Sequence, residues 1–330
     1  MALLHLPPEL LGLIFDELGS SFFHEDLGRL TVCKLWLEFA LPTYLKWLRL
    51  TQMTLQSLMT SWVMKRPSLL HNQLETLDLD LRGVRPYFQE WTLKAGIVVD
   101  ITRLFEDARE AAPKNLEQLA MITQKSHRLH TLRMRVEGYG YQSSRYHLPL
   151  PTMQALLSVD NLRVLVLDLP SGLLNSSGQE ENDTHICPAI GALLCTLQTL
   201  RLRMRSICPD VLRSRGPNDR LQLSEVVINL SLIEYLPRGR TASESKRCGS
   251  QSGGFLHQLR ADLCEQAEAL VAQMAFPEVV TILIPSPRLW DLESLDILTG
   301  ESMVLEGSIA WVQDDYTIEK GPENGSENSF

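Results

Sequence analysis

Long apolar runs, a cysteine framework and an excess of basic residues are all missing from this sequence of 330 residues. No run of about 18 or more apolar residues occurs, so we expect no transmembrane helix and no membrane partner. The chain carries 31 Lys and Arg against 40 Asp and Glu, a net charge of -9, which argues against binding nucleic acid through its phosphates. Its six cysteines contain no CxxC pair, a usage typical of reduced thiols in the cytoplasm or nucleus.

Familiar catalytic and cofactor motifs are also missing. The sequence has neither a GxxxxGK[ST] phosphate loop nor a GxGxxG dinucleotide fingerprint, and it has no GxSxG nucleophile elbow. His127 and His130 lie three positions apart, but no second pair of ligands at metal-binding spacing accompanies them. We therefore expect no catalytic residue, no metal ion and no cofactor, and a protein that is not an enzyme.

An apolar template for short strands recurs through the sequence. It reads apolar, two residues, apolar, one residue, apolar, and its copies begin at Leu74, Leu129, Leu162, Leu197, Leu223 and Val279. The middle copies are 33 and 35 residues apart, near the length of leucine-rich repeats. Because helical patterns precede several copies, the sequence predicts an α/β solenoid with a parallel sheet. We expect these template residues to be buried: Leu77, Leu132, Leu165, Leu200 and Ile282.

Charged residues occupy the template positions that face away from this core. At the seventh position four successive copies have Asp80, Arg135, Asp168 and Arg203, whose signs alternate. Neighbouring parallel strands lie about 4.8 Å apart, so these side chains can pair across strands. They either neutralise one another on a solvated face or form a charged concave surface for a substrate. In the second case the candidate substrate-binding residues are Arg133, Arg135, Asp168, Arg201 and Arg203.

A glycine-flanked aromatic loop, Gly138-Tyr139-Gly140-Tyr141, follows one of these strands. Tyrosine-rich loops of this kind suit protein recognition, and they also suit ordinary loop packing. Tyr139 and Tyr141 are therefore further candidates for substrate binding.

The first fifty residues have the pattern of three short amphipathic helices. Pro7 and Pro8 favour a helix start, and Gly19 is suited to its end. A second helix fits Glu25 to Leu30, and a third fits Val32 to Leu41, ended by Pro42. Three helices this short cannot bury their own apolar side chains, which therefore pack against the rest of the chain or against a partner.

The same residues carry a resemblance to a known family. Leu6-Pro7-Pro8-Glu9-Leu10-Leu11, then Ile14, Phe15 and Leu18, then Asp26-Leu27 and Val32-Cys33-Lys34-x-Trp36 resemble an F-box, over about residues 4–46. The resemblance implies docking to a Skp-type adaptor, which links the protein to a cullin scaffold. The adaptor-binding residues that it implies are Leu6, Pro7, Pro8, Leu10, Ile14, Phe15, Leu27, Val32, Cys33 and Trp36.

The F-box followed by irregular leucine-rich-repeat-like strands is similar to the large fungal F-box families. That resemblance implies the substrate-recognition subunit of an SCF-type ubiquitin ligase, acting on an unknown protein substrate in the cytoplasm or nucleus. The alternative is an interaction scaffold that binds the Skp adaptor without a role in ubiquitination. A further alternative is an N-terminal cap that packs only within the chain.

The expected organisation has three parts. An F-box module spans residues 1–48, and a leucine-rich-repeat-like recognition domain spans 49–318. A polar tail at 319–330 is expected to be disordered. Within the second part, segments 171–184 and 238–254 are expected to be flexible loops, because they hold too few apolar residues to offset the entropy of ordering.

Overall fold

The computed structural model describes a mixed α/β protein over most of the chain. The described residues are 6–81, 101–136, 148–174, 185–214, 216, 220–232, 234–236, 239–241, 244–249, 256–286 and 291–305. Within them lie α1 (Pro8–Glu25), α2 (Lys34–Lys46), α3 (Gln52–Thr60), α4 (Ser68–Gln73), α5 (Ile101–Thr123), α6 (Leu150–Leu156), α7 (Cys187–Leu193) and α8 (Leu256–Val271). Short 3-10 helices span Leu27–Leu30, Trp62–Lys65 and Pro209–Leu212. No helix in these ranges combines the length and apolarity needed to cross a membrane.

The strands of the same ranges alternate with these helices along most of the chain. They are β1 (Trp47–Thr51), β2 (Thr76–Asp80), β3 (Thr131–Arg135), β4 (Leu148–Pro149), β5 (Val164–Leu169), β6 (Leu173–Leu174), β7 (Thr199–Met204), β8 (Ser206–Ile207), β9 (Glu225–Asn229), β10 (Glu234–Leu236), β11 (Gly239–Thr241), β12 (Lys246–Arg247), β13 (Val279–Pro285), β14 (Leu292–Asp296) and β15 (Ser302–Leu305).

Nine of these strands form one sheet in the order β1-β2-β3-β5-β7-β9-β13-β14-β15. Every pair from β1 to β13 is parallel, and β14 and β15 are antiparallel at one edge. The mostly parallel sheet that the template predicted is therefore confirmed. The five expected core residues are each at most 1% exposed: Leu77, Leu132, Leu165, Leu200 and Ile282.

The main core lies between this sheet and the helices on one of its faces. Alternate strand residues point to the same face, and the strand leucines belong to one buried cluster with residues of α3 to α8. The helices contribute Leu55, Leu70, Leu116, Met153, Ile190 and Leu263. The charged row consequently lies on the opposite face of the sheet.

One strand copy is shifted from its expected alignment. β13 pairs Val280 with Val226 and Ile282 with Ile228, so Ile282 takes the sixth template position rather than the fourth. Val279, expected as the first apolar residue of the copy, is 42% exposed. A shift of two residues keeps the same face buried because strand side chains alternate, so the burial of Ile282 did not depend on the alignment.

The first helix differs from its expected bounds. α1 extends to Glu25, but it is interrupted at Gly19, which adopts the non-helical angles φ 71° and ψ 171°. The helical stretch that begins at Pro8 therefore ends at Gly19 as expected, and a second helical stretch follows it. A positive φ of this size favours glycine, which has no Cβ to clash. The expected second helix is reduced to the 3-10 helix at Leu27–Leu30, whose N-cap is Asp26.

The expected third helix is also displaced. It begins at Lys34, capped by Cys33, and it continues through Pro42 to Lys46. A proline inside a helix removes one backbone hydrogen bond, but Leu41 and Leu45 on the last turns pack in the main core. This tertiary packing holds the helix together beyond the proline.

Some expectations fall on residues outside the described ranges. The tail at 319–330, Tyr139 and Tyr141 lie wholly outside them, and the expected loops 171–184 and 238–254 lie partly outside. Inside the second loop, Gly239–Thr241 and Lys246–Arg247 form the short strands β11 and β12.

Candidate functional site

The N-terminal helices enclose a small aromatic core of their own. Phe15 and Phe23, both on α1, stack with ring centroids 5.8 Å apart. The Trp36 ring of α2 meets Phe15 edge-on at 4.6 Å, and its Nε1 donates a hydrogen bond to the Arg29 carbonyl at 2.5 Å. These contacts form a buried cluster of their own, and Leu37 and Tyr44 of α2 pack against both this cluster and the main core.

The outside of these N-terminal helices carries an unusual number of exposed apolar side chains. Of the 13 exposed large apolar residues in the described ranges, six lie between residues 10 and 35: Leu10, Leu13, Leu18, Leu27, Val32 and Leu35. Leu13 alone is 66% exposed. Scattered apolar residues are ordinary on a surface, but a concentration of large ones in one short segment is typical of an interaction surface.

Short-range hydrogen bonds fix the backbone segments that carry two of these side chains, Leu27 and Val32. The Asp26 carboxylate accepts from the Gly28 N–H at 2.8 Å, and this fixes the 3-10 helix that carries Leu27. A Cβ at position 28 would lie 2.9 Å from the same carboxylate, so glycine suits that position. The Cys33 sulfur accepts from the Trp36 N–H, which fixes the start of α2 next to Val32.

The residues that the F-box resemblance implies for adaptor binding fall into three groups. Five are exposed: Pro7, Pro8, Leu10, Leu27 and Val32. Four are half-buried: Leu6, Ile14, Cys33 and Trp36. Of these, Leu6 and Trp36 pack against the aromatic core. Phe15 is only 1% exposed, so its expected place in the contact surface is corrected: its ring supports the surface from inside because three other aromatic rings surround it.

The charged row of the sheet forms as the sequence predicted. The strand register places Arg135 beside Asp168 and Asp168 beside Arg203, and it places Asp80 beside Arg135 because β2 and β3 are direct neighbours. Asp168 accepts two hydrogen bonds from the Arg203 guanidinium, at 2.6 and 2.8 Å. A bidentate pair of this kind is a strong, geometrically specific interaction.

Three of the four residues of this row, Arg135, Asp168 and Arg203, are buried, and Asp80 is partly buried. Asp168 is 7% exposed and Arg203 is 9% exposed. Arg201 forms an ion pair with Glu225, and Arg133 and Arg135 also have interaction partners. The candidate substrate-binding residues are thus brought together on neighbouring strands, and their contacts within the sheet favour mutual neutralisation over a surface open to a protein substrate.

Asp78 lies on the same face of the sheet, on strand β2 next to β1. Its carboxylate lies 3.8 Å from Arg49 of β1. Burial raises the pKa of Asp78, and the nearby Arg135, Arg49 and Arg133 oppose that rise. Since the net shift is upward, the removal of this carboxylate from water is only partly compensated by its cationic neighbours.

A cluster of metal-binding side chains was missed by the sequence analysis. The ligand atoms of His185, Cys187, Cys208 and Cys248 all lie within 4.8 Å of one another. Hydrogen bonds with the Cys208 and Cys248 sulfurs, together with burial, raise the pKa of the Cys187 thiol well above its usual range. The expectation of no metal ion relied on the lack of a second pair of ligands at metal-binding spacing to accompany His127 and His130. The one local signal of the cluster in the sequence was the spacing of His185 and Cys187.

Comparison with known proteins leaves the family of the chain unassigned. No family model matches the chain, and no curated protein or solved structure matches it. Interpretation of function therefore rests on the residues themselves.

Proposed function

We propose that this chain is the substrate-recognition subunit of an SCF-type ubiquitin ligase. In this proposal the N-terminal helices are an F-box that binds a Skp-type adaptor, and the repeat-like body holds the target protein. The observation that carries the proposal is the concentration of exposed apolar side chains on a segment whose sequence resembles an F-box. That segment has its own aromatic core, which supports independent recognition.

The aromatic core supports adaptor binding because it makes the exposed surface rigid before any partner arrives. Phe15, Phe23 and Trp36 fix the relative positions of α1 and α2. A surface that is already ordered loses little conformational entropy on association. Leu10 and Val32 can then be buried by a partner without rearrangement of the helices that carry them.

The rest of the chain supports the second half of the proposal. Parallel strands in register with intervening helices resemble an irregular leucine-rich-repeat domain, and such domains bind protein partners on extended surfaces. The proposed mechanism is proximity: a target held on this body is presented to the ubiquitin-charged enzyme at high effective concentration. The chain itself catalyses no step in this scheme.

Truncation of exposed residues in the N-terminal segment tests the proposal. We expect the double variant Leu10→Ala with Val32→Ala to weaken binding to a purified Skp-type adaptor. Loss of a central apolar anchor typically costs about 2 kcal/mol or more, which is near thirtyfold in Kd. Binding is measured by calorimetry with the full-length chain.

A matched control makes the same two substitutions elsewhere on the surface. Leu298 and Val279 are 36% and 42% exposed, and Leu298→Ala with Val279→Ala should leave adaptor affinity unchanged. Equal affinity of both double variants and the parent would overturn the adaptor-binding proposal. Co-precipitation of cullin with the parent supports a ligase subunit, and recovery of the adaptor without cullin would point to a scaffold instead.

A further inference from the structure

We infer that His185, Cys187, Cys208 and Cys248 together bind one zinc ion. Three cysteines and one histidine are a common ligand set of structural zinc sites, which are four-coordinate and tetrahedral. The four residues come from three separate parts of the chain, and their ligand atoms nevertheless converge within 4.8 Å. This inference is independent of the adaptor-binding proposal because it involves none of the same residues.

The distances between ligand atoms fit a tetrahedron around zinc. Two sulfurs bonded to zinc at about 2.3 Å in a tetrahedral arrangement lie about 3.8 Å apart. The sulfurs of Cys187 and Cys248 are 3.8 Å apart. The Cys208 sulfur lies 3.8 Å from Nδ1 of His185 and 4.0 Å from its Nε2, close to the separation of about 3.6 Å expected for a sulfur and a nitrogen on one zinc ion.

The same distances argue against a disulfide in this cluster. A disulfide joins two sulfurs at about 2.05 Å, and the Cys187 and Cys248 sulfurs are nearly twice that distance apart. All three thiols of the cluster are free. A third thiol and an imidazole at the same point would have no role in a simple disulfide, whereas a tetrahedral metal ion uses all four groups.

Local folding brings the four ligands together. β12 pairs with β8 in parallel, and the Cys248 N–H donates to the Ile207 carbonyl at 3.2 Å, so Cys248 lies beside Cys208. His185 and Cys187 lie at the start of α7.

Close packing of α7 completes the arrangement. A Cβ at Gly191 would lie 2.5 Å from the Asp210 carbonyl oxygen and 2.7 Å from that of Arg213. Gly191 therefore allows α7 to pack directly against the 3-10 helix that follows Cys208.

The surroundings allow entry of the ion and balance its charge. His185, Cys208 and Cys248 line a cavity of about 500 Å³ that is also lined by Asp262 and Glu265. Asp262 is paired with Arg247, and the carboxylate of Glu265 favours the approach of a cation. Binding of Zn²⁺ displaces three thiol protons to solvent and leaves the histidine neutral. The complex then has a charge of -1.

Two arginines beside the cluster form ion pairs with carboxylates of the same cavity. Arg213 and Arg247 line the same cavity. Asp210, whose carboxylate lies 3.7 Å from the Cys208 sulfur, forms an ion pair with Arg213 at 3.2 Å. Arg247 forms an ion pair with Asp262, so each of these arginines is held beside the cluster by a carboxylate.

The proposed ion would join three segments at the end of β7. It would tie the segment after β12 to the start of α7 and to the turn that follows β8. Because four protein ligands complete the tetrahedron and leave no position for a substrate, the site is structural rather than catalytic. Its loss should loosen these segments without affecting the N-terminal helices.

Metal analysis of the purified full-length chain tests the inference directly. We expect one zinc ion per chain in protein purified without a metal-affinity column. After removal of zinc by a chelator, one equivalent of Co²⁺ should give the visible bands of tetrahedral cobalt and an ultraviolet sulfur-to-cobalt charge-transfer band. A parent protein without zinc, and without these bands on addition of Co²⁺, would overturn the inference.

Ligand variants with a matched cysteine control identify the site. Cys208→Ser and Cys248→Ser should lose the bound zinc, whereas Cys195→Ser should retain it because Cys195 is exposed and outside the cluster. Full zinc content in both ligand variants would contradict the assignment. If a ligand variant fails to fold, the parent is melted with and without chelator: a lower Tm restored by added zinc supports the site, and an unchanged Tm contradicts a structural ion.

Discussion

Removal of the carboxylate of Asp168 should destabilise the fold far more than removal of a carboxylate at the surface. Asp168→Asn keeps the shape of the side chain and removes its charge. Arg203 would then keep a buried guanidinium without its bidentate partner, and Arg135 lies beside Asp168 on the other neighbouring strand. The substitution therefore leaves two cations facing a neutral amide on the buried face of the sheet.

The burial of the pair sets the expected magnitude. The side chains of Asp168 and Arg203 are 10% and 11% exposed, so solvent screens their interaction weakly. Breaking a buried pair by removal of one partner costs about 3–5 kcal/mol. At roughly 2 °C per kcal/mol for a chain of this size, Tm should fall by about 6–10 °C.

Urea unfolding at neutral pH, followed by circular dichroism, measures the change in the free energy of unfolding. The control is Glu25→Gln, which breaks the exposed pair of Glu25 with Arg29, where the Glu25 side chain is 67% exposed. That loss should be below about 1 kcal/mol. The double variant Asp168→Leu with Arg203→Met should recover part of the stability lost in Asp168→Asn, because a buried pair can be replaced by apolar residues at little cost, whereas Arg135 still lacks its neighbour Asp168.

Equal losses in Asp168→Asn and Glu25→Gln would refute this reasoning. The row would then be hydrated in solution, and its arginines would again be candidates for binding an acidic segment of a target. A loss of several kcal/mol would instead mean that charge reversal at Arg203 disrupts the fold, so that such a variant cannot test target binding.

Two other substitutions test the electrostatics of the fold. Asp78→Asn should change the free energy of unfolding by less than about 1 kcal/mol. Oδ1 of Asp78 has no hydrogen-bond partner in the described part of the chain, and burial raises the pKa of this carboxyl. A loss above about 2 kcal/mol in urea unfolding would contradict this expectation. Burial lowers the pKa of His24 from its ordinary value of 6.5, so below that pH the unfolded chain binds a proton more readily than the folded chain and stability falls. His24→Gln, which retains a donor for the Trp47 carbonyl, should show a shallower fall in Tm between about pH 7.5 and 5.5, and equal slopes in parent and variant would count against the assignment.

The parallel sheet could be predicted because its signal is local and repeated. Each copy of the template places leucines on one face of a strand, and Leu77, Leu132 and Leu165 align in the sheet as the template aligned them. The first strand, β1, follows the same template, with Leu45, Leu48 and Leu50 all buried. It was missed because its first apolar residue belongs to α2, and the helix and strand patterns overlap there.

Helix ends were predicted less well because tertiary packing decides them. Gly19 and Pro42 are ordinary stop signals, and each was expected to end a helix. Gly19 interrupts α1 as expected, whereas α2 continues through Pro42, with Leu45 anchored in the main core beyond it. At Pro42 a local signal of about 3 kcal/mol was outweighed by contacts with residues distant in sequence.

The cysteine and histidine cluster could not be predicted from spacing. Twenty residues separate Cys187 from Cys208, and 39 separate Cys208 from Cys248, far outside the short spacings of familiar zinc motifs. Only the parallel pairing of β8 with β12 brings the last two together. Because the fold brings these four ligands together from distant positions, their spacing in the sequence gives little indication of the cluster.

The buried charge row and the cysteine cluster together change where a target-binding surface should be sought. Parallel strands present their functional residues in the loops at their carboxyl ends, held by a rigid sheet. Asp168 and Arg203 are engaged inside the sheet, whereas β8, the turn at Pro209–Leu212 and β12 extend beyond the end of β7. Arg213 on that edge has a side chain that is 68% exposed, unlike the arginines of the row. If the proposed function holds, charged residues at this edge are better placed than the row to bind the target. A bound zinc ion would order the loops there without contacting the target.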